Sequence, residues 1–194
     1  MLSEALLYMR LGFGHIANLA GYDHILFVAA LSIPYAVRDW RKLLVLVTAF
    51  TVGHSITLAL ATLRLVRVSS AVVEALIPAT ILVTALMAWP SSATVTNGAT
   101  GVSAPRYVMA ALFGLIHGLG FSTYLRSLLG EEESIAGPLL AFNLGLEIGQ
   151  LLILSVVLGV AFVVGRNDVA RVWWKRVLVV TIAALATMLL AQRI

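Results

Sequence analysis

From Leu43 to Leu63 the chain runs without a single Asp, Glu, Lys or Arg. That run limits the fold more than any other feature. It is long enough to cross a bilayer, whose hydrocarbon core takes about 20 apolar residues in a helix. Inside hydrocarbon every backbone N–H and C=O needs a partner within the protein, and a lone segment meets that need only as a helix. Comparable apolar runs cover 71–89, 107–129, 134–164 and 172–192, each with at most two charges. Of the 194 residues, 61% are hydrophobic and 11% are charged. A soluble domain carries about 25% charged residues. The expected fold is therefore all-α: a polytopic membrane helical bundle of about six transmembrane helices.

One transmembrane domain over 1–194 is expected to use up the length. Its first half is 1–89 and its second 106–194. A linker rich in Ser, Thr, Gly and Ala joins them at 90–105. The net charge of +4 reflects loop Lys and Arg rather than a nucleic-acid surface. Without cysteine, disulfides, thiolate metal sites and Cys nucleophiles are excluded. The first ten residues form an amphipathic lead-in without a signal-peptide pattern. No Gly-rich phosphate loop is seen, which argues against a nucleotide-driven pump.

Gly12, Gly14 and Gly21 interrupt the first apolar stretch. They predict a broken or re-entrant piece near 12–20, then a first full span at 22–36. The remaining spans are expected at 43–63, 71–89, 107–129, 134–164 and 172–192. Pro78 deprives the Glu74 carbonyl of its helical donor, so a kink is expected there. Lys and Arg are more numerous in the loops at 38–42, 106 and 166–176 than on the opposite face. The positive-inside rule then puts those loops in the cytoplasm and both termini outside. Phe50-Thr51-Val52-Gly53 and Phe142-Asn143-Leu144-Gly145 occupy corresponding places in the two halves. With three helices in each half, they are compatible with a three-plus-three inverted repeat.

An ionisable group in a membrane helix costs about 2.5–3.5 kcal/mol or more, so it faces a partner or a wet cavity. All four histidines of the chain, His15, His24, His54 and His117, lie in or beside apolar runs. So do Asp23, Glu74 and Glu147. His54 comes 12 residues after Lys42, roughly 18 Å along a helix. His117 and Glu147 are expected at similar depth, near the midplane. Asp23, His24 and Glu74 are expected near the outer ends of their helices. In one straight helix His15 and His24 would face opposite ways, so they share a site only if the chain breaks near Gly21. Asn143, Glu147 and Gln150 share a face of the fifth span, and Thr51, His54 and Ser55 form a polar stripe on the second.

Each residue also has a plainer explanation. A lone histidine can hydrogen-bond a carbonyl, Glu147 can act as helix glue, and Glu74 can be solvated at the interface. Embedded together, the histidines and carboxylates favour a metal site. Imidazole plus carboxylate without sulfur suits Ni²⁺, Co²⁺, Zn²⁺ or Fe²⁺. The candidate metal ligands are His15, Asp23, His24, His54, His117 and Glu147. Asn143, Gln150, Ser55, Thr51 and Glu74 are candidates for a supporting shell or pathway.

Four motifs follow in order: Gly14-His15…Gly21-Tyr22-Asp23-His24-Ile25-Leu26-Phe27, Phe50-Thr51-Val52-Gly53-His54-Ser55-Ile56-Thr57-Leu58, Gly114-Leu115-Ile116-His117-Gly118-Leu119-Gly120-Phe121 and Phe142-Asn143-Leu144-Gly145-Leu146-Glu147-Ile148-Gly149-Gln150. Together they resemble the HupE/UreJ family of small bacterial inner-membrane proteins. The resemblance implies a nickel or cobalt permease associated with hydrogenase or urease systems. Where hydrogenase-linked members carry a second histidine and a glutamate, this chain has Phe113 and Gly120. It is thus similar to the second, UreJ-like branch. His15 precedes Asp23-His24 by more residues than the signature of the larger nickel/cobalt transporters, which these motifs also resemble.

The expected function is a secondary transporter or permease for a divalent metal, running inward. Asp23, His24 and His15 would form an outer gate, with His54, His117 and Glu147 as a deeper site. Two alternatives belong to other classes. One is a metal-dependent intramembrane hydrolase with Glu147 as general base. The other is a haem protein with His54 and His117 as axial ligands. The expected partners are the metal ion and the lipid bilayer, and an oligomer is compatible with the sequence.

Overall fold

The computed structural model describes residues 2–90, 104–129, 135–165 and 167–194. The acidic turn Gly130-Glu131-Glu132-Glu133 lies outside the described residues, as does the expected linker apart from its ends. Among the described residues there are seven α-helices, one 3-10 turn and no strand. In chain order the helices are α1 (Leu2–Ile16), α2 (Asp23–Ser32), α3 (Trp40–Thr62), α4 (Ser70–Met87), α5 (Ala104–Leu129), α6 (Ala136–Val164) and α7 (Asp168–Gln192).

The last five are long and apolar enough to cross a membrane. Their outer faces carry large apolar side chains such as Val52, Leu144, Val156 and Phe162, all exposed. A bundle so clothed is stable in lipid, where such faces need no cover. The chain is a multi-pass helical membrane protein. The helix ends fall within a few residues of those expected from the apolar runs. Pro105 sits in the first turn of α5, where its missing N–H would have had no helical partner anyway. At the far end of α3, Arg64 adopts a left-handed conformation (φ 62°) and terminates the helix.

The first span differs from the expectation. There is no full-length helix at 22–36. Instead α1 is a 15-residue helix and α2 a 10-residue helix, about 22 and 15 Å long. The chain turns between them at 17–22. There the Asn18 side chain accepts a bond from the Ala20 N–H at 2.9 Å, a local turn that competes with helix. Pro34 stops α2 from extending, since it has no N–H to donate. The lead-in expected over the first ten residues is part of α1, which buries Tyr8, Gly12 and Ile16 against the bundle.

Two helix pairs touch backbone to backbone. In α3 and α5, a methyl group at Gly53 would overlap the Ala111 carbonyl, and one at Gly114 the Phe50 carbonyl. In α1 and α6, a methyl at Gly12 would overlap the Phe142 carbonyl, and one at Gly145 the Met9 carbonyl. Small residues allow this approach, and membrane helices rely on it because lipid provides no hydrophobic drive between them. The Thr57 hydroxyl adds a bond to the Leu115 carbonyl at 2.6 Å across the first pair.

The pairs meet each other through side chains. Thr48 Oγ1 donates to Glu147 Oε1 at 2.8 Å, and Thr51 Oγ1 to Gln150 Oε1 at 2.9 Å. The polar stripe of α3 therefore faces the polar stripe of α6. Helix α4 continues through Pro78. The Glu74 carbonyl, which Pro78 leaves without a helical donor, accepts a bond from Arg193 Nη1 at 3.2 Å.

Candidate metal site

Four elements deliver one histidine each to a common point. His15 ends α1, His24 begins α2, and His54 and His117 lie within the closely packed α3 and α5. The His15 and His24 ring centres are 4.5 Å apart. His54 lies 5.8 Å from His15 and 6.1 Å from His24, and His117 lies 5.1 Å from His24. The turn at 17–22 makes this possible: it places the last turn of α1 beside the first turn of α2. His15 and His24, expected at an outer gate, thus share one cluster with His54 and His117, expected deeper. His24 sits with His54 and His117, while Asp23 beside it reaches Arg193 just beyond the end of α7.

His24, His54 and His117 are buried and His15 is half-buried. Five ring nitrogens are buried without a hydrogen-bond partner among the described residues: His15 Nε2, His24 Nε2, His54 Nδ1, His54 Nε2 and His117 Nδ1. A buried polar atom left unpaired costs about 1–3 kcal/mol. Such a concentration calls for a ligand that binds lone pairs.

One ligand nitrogen from each of His15, His24 and His54 lies within 4.8 Å of the others. Two nitrogens sharing one ion at 2.0–2.1 Å are at most about 4.2 Å apart. The three nitrogens are thus gathered to about the span of one coordination sphere. These donors could hold a divalent transition-metal ion, with His117 beside them.

His117 has a hydroxyl partner that can orient its ring. Its Nε2 lies 2.9 Å from Thr80 Oγ1, and that hydroxyl donates to the Ile77 carbonyl at 2.7 Å. With the hydroxyl proton so engaged, Thr80 accepts from Nε2–H, which leaves Nδ1 as the ring's lone-pair nitrogen. Thr80 was not among the residues singled out from the sequence. A buried hydroxyl two residues beyond the helix proline is the signal that could have found it.

Four phenylalanines enclose the rings and were also missed as site residues. Phe121 lies 4.1 Å from His15, Phe142 5.8 Å from His15, Phe27 5.1 Å from His117, and Phe50 5.2 Å from His117. They stand at the edges of the four motifs. Phe27, Phe50 and Phe121 are each three or four residues from a histidine on the same helix, the spacing that puts two side chains on one face.

The remaining sequence candidates lie elsewhere. Asp23 Oδ2 is held by Arg193 Nη2 at 3.2 Å rather than by an imidazole. Glu147 and Gln150 are taken by Thr48 and Thr51, outside the histidine group. Asn143 Oδ1 is buried without a partner among the described residues. Ser55 turns back to the Thr51 carbonyl at 2.6 Å. Glu74 has an exposed side chain and contributes its carbonyl to Arg193.

A helical membrane bundle with clustered buried imidazoles defines the class as a metal-handling membrane protein. The family model described as HupE / UreJ protein matches residues 1–193, and the chain belongs to the HupE/UreJ family. That family is generally associated with nickel and cobalt transport, which makes a metal ion the substrate and the membrane its setting. No curated protein and no solved structure matches the chain.

Proposed function

We propose that the protein is a permease that carries a divalent transition metal, nickel or cobalt, inward across the bacterial inner membrane, with both termini outside. His15, His24 and His54 take the ion, and His117 joins them through Nδ1. The observation that carries this reading is the set of five unpartnered imidazole nitrogens at one buried point. Neutral imidazole donors without sulfur suit Ni²⁺ and Co²⁺, and Zn²⁺ and Fe²⁺ fit the same donors. Asp23 and Glu147 act outside the coordination sphere. Asp23, held by Arg193, ties the end of α7 to the first turn of α2 next to His24. Glu147 binds α6 to α3.

Neither alternative gains support. A hydrolase would need Glu147 beside metal-bound water, and Glu147 is engaged by Thr48 instead. A haem between His54 and His117 would need space for a flat macrocycle between α3 and α5. The glycine contacts at Gly53 and Gly114 hold those two backbones together.

Uptake of Ni²⁺, Co²⁺, Zn²⁺ and Fe²⁺ into proteoliposomes tests the proposal. Uptake of at least one ion by the wild type, abolished in His54→Ala, supports it. Uptake of none above the His54→Ala background would sink it.

A further inference from the structure

A cavity of about 500 Å³ opens at the other end of the bundle, between the segment after α2, the last turns of α6 and the first turns of α7. It is separate from the histidine cluster. Lys175 on its wall is 18 residues before Arg193, the residue that reaches Asp23, or about 27 Å along α7.

The lining is divided by chemistry. Arg38, Arg171 and Lys175 contribute three cations, and among the described residues no Asp or Glu lines the cavity. Lys175 Nζ donates to the Pro34 carbonyl at 3.3 Å, which holds the half-buried ammonium against the wall. Arg171 also pairs with the exposed Asp168 at the rim, and Asp39 is engaged by Lys42 at 2.8 Å. The apolar part of the lining comes from Val157, Leu158, Ala161 and Phe162 of α6, and α7 adds Trp174 and Leu178 beside its two cations. Phe162 is 70% exposed, so the α6 part runs out onto the lipid-facing surface of that helix. Trp in a lining of this mixed kind is usual for a membrane–water interface.

A free anion would use only the cationic side of this cavity. An acyl chain would use only the other. One ligand class uses both, with a negative headgroup joined to a long apolar tail. We propose that the cavity binds an anionic phospholipid, its phosphate against Arg38, Arg171 and Lys175 and its acyl chain along Leu158 and Phe162. Basic pockets between transmembrane helices favour such headgroups, each cation near the surface adding attraction.

Native mass spectrometry of the full chain in neutral detergent tests this with three probes: phosphatidylglycerol, phosphatidylcholine and inorganic phosphate. The wild type is expected to retain phosphatidylglycerol at least about tenfold more than phosphatidylcholine of the same chain length. Arg171→Gln with Lys175→Gln is expected to bring the two lipids level. Inorganic phosphate is expected not to displace the lipid. Equal retention of both lipids by the wild type overturns the proposal, as does displacement of phosphatidylglycerol by millimolar phosphate. Unchanged preference in a folded double variant overturns it too. If the double variant does not fold, Arg38→Gln, at an exposed position, replaces it, and loss of preference is again the expected result.

Discussion

Arg193 Nη2 lies 3.2 Å from Asp23 Oδ2, a contact that joins the last turn of the bundle to the first turn of α2. The same guanidinium covers the Glu74 carbonyl. One side chain therefore satisfies a carboxylate beside a candidate ligand and a carbonyl exposed by Pro78. Both partners of the pair are largely buried, their side chains 25% and 13% exposed. Arg193→Ala should cost about 1.5–3 kcal/mol, in the range of a hydrogen bond to a charged group. The measurement is thermal unfolding in detergent. Arg193→Lys should recover part of the loss, since an ammonium cannot span both acceptors in the planar geometry of a guanidinium. An unchanged midpoint in Arg193→Ala would mean that the contact adds nothing to stability.

The hydroxyl of Thr80 orients His117. Thr80→Val removes the acceptor while keeping the shape of the side chain. On the metal reading, affinity for Ni²⁺ should fall by roughly 10–100-fold, the usual effect of losing a group that orients a ligand. Thr80→Ser should keep most of it. Titration calorimetry on purified protein reads both. Equal affinity in Thr80→Val and wild type would remove Thr80 from the site.

Two glycines within the histidine motifs should respond in opposite ways to alanine. At Gly114 a methyl would collide with the Phe50 carbonyl. The α3–α5 pair would have to separate, at a cost of about 1–3 kcal/mol or more. At Gly14 nothing lies within 4 Å of the added carbon. Gly14→Ala should gain about 0.5–1 kcal/mol of helix stability instead. Thermal midpoints in detergent distinguish the two. Similar losses in both would show that the glycines matter for backbone freedom, not for close approach.

Glu147 and His54 were candidates for the same role from the sequence, and the geometry separates them. His54→Ala should strip the purified protein of its metal, whereas Glu147→Gln should retain it and weaken the α3–α6 contact. Element-resolved analysis of metal per chain decides this. Loss of metal in folded Glu147→Gln would return Glu147 to the coordination sphere.

The long helices were readable because each apolar run exceeds what a bilayer needs, and hydrocarbon forces such a run into helix. The histidines were readable because an ionisable group in such a run is costly. Their convergence was not. It depends on the turn at 17–22, which brings the end of α1 beside the start of α2 and has no mark in the apolar runs. The extent of α1 was hidden for a related reason. Its glycines read as helix breakers, yet Gly12 serves to bring α1 against the backbone of α6. Only the glycine's neighbours distinguish a weak helix from a close contact, and those lie more than a hundred residues away. The phenylalanine enclosure was concealed by composition, since Phe27 or Phe142 in an apolar run carries no mark of its own.

The two glycine pairs also determine what can move. Backbones in direct contact, as at Gly53 and Ala111 or Gly12 and Phe142, leave no slack, so each pair behaves as one stiff plate. His54 and His117 belong to one plate and His15 to the other. Between the plates run side-chain contacts, Thr48 with Glu147 and Thr51 with Gln150, in place of backbone contact. If one plate slides past the other, it carries His15 away from His54 and opens the coordination sphere without bending a helix. The grip on a cargo ion would then be set by the register of two rigid bodies, and letting go would be a matter of shear.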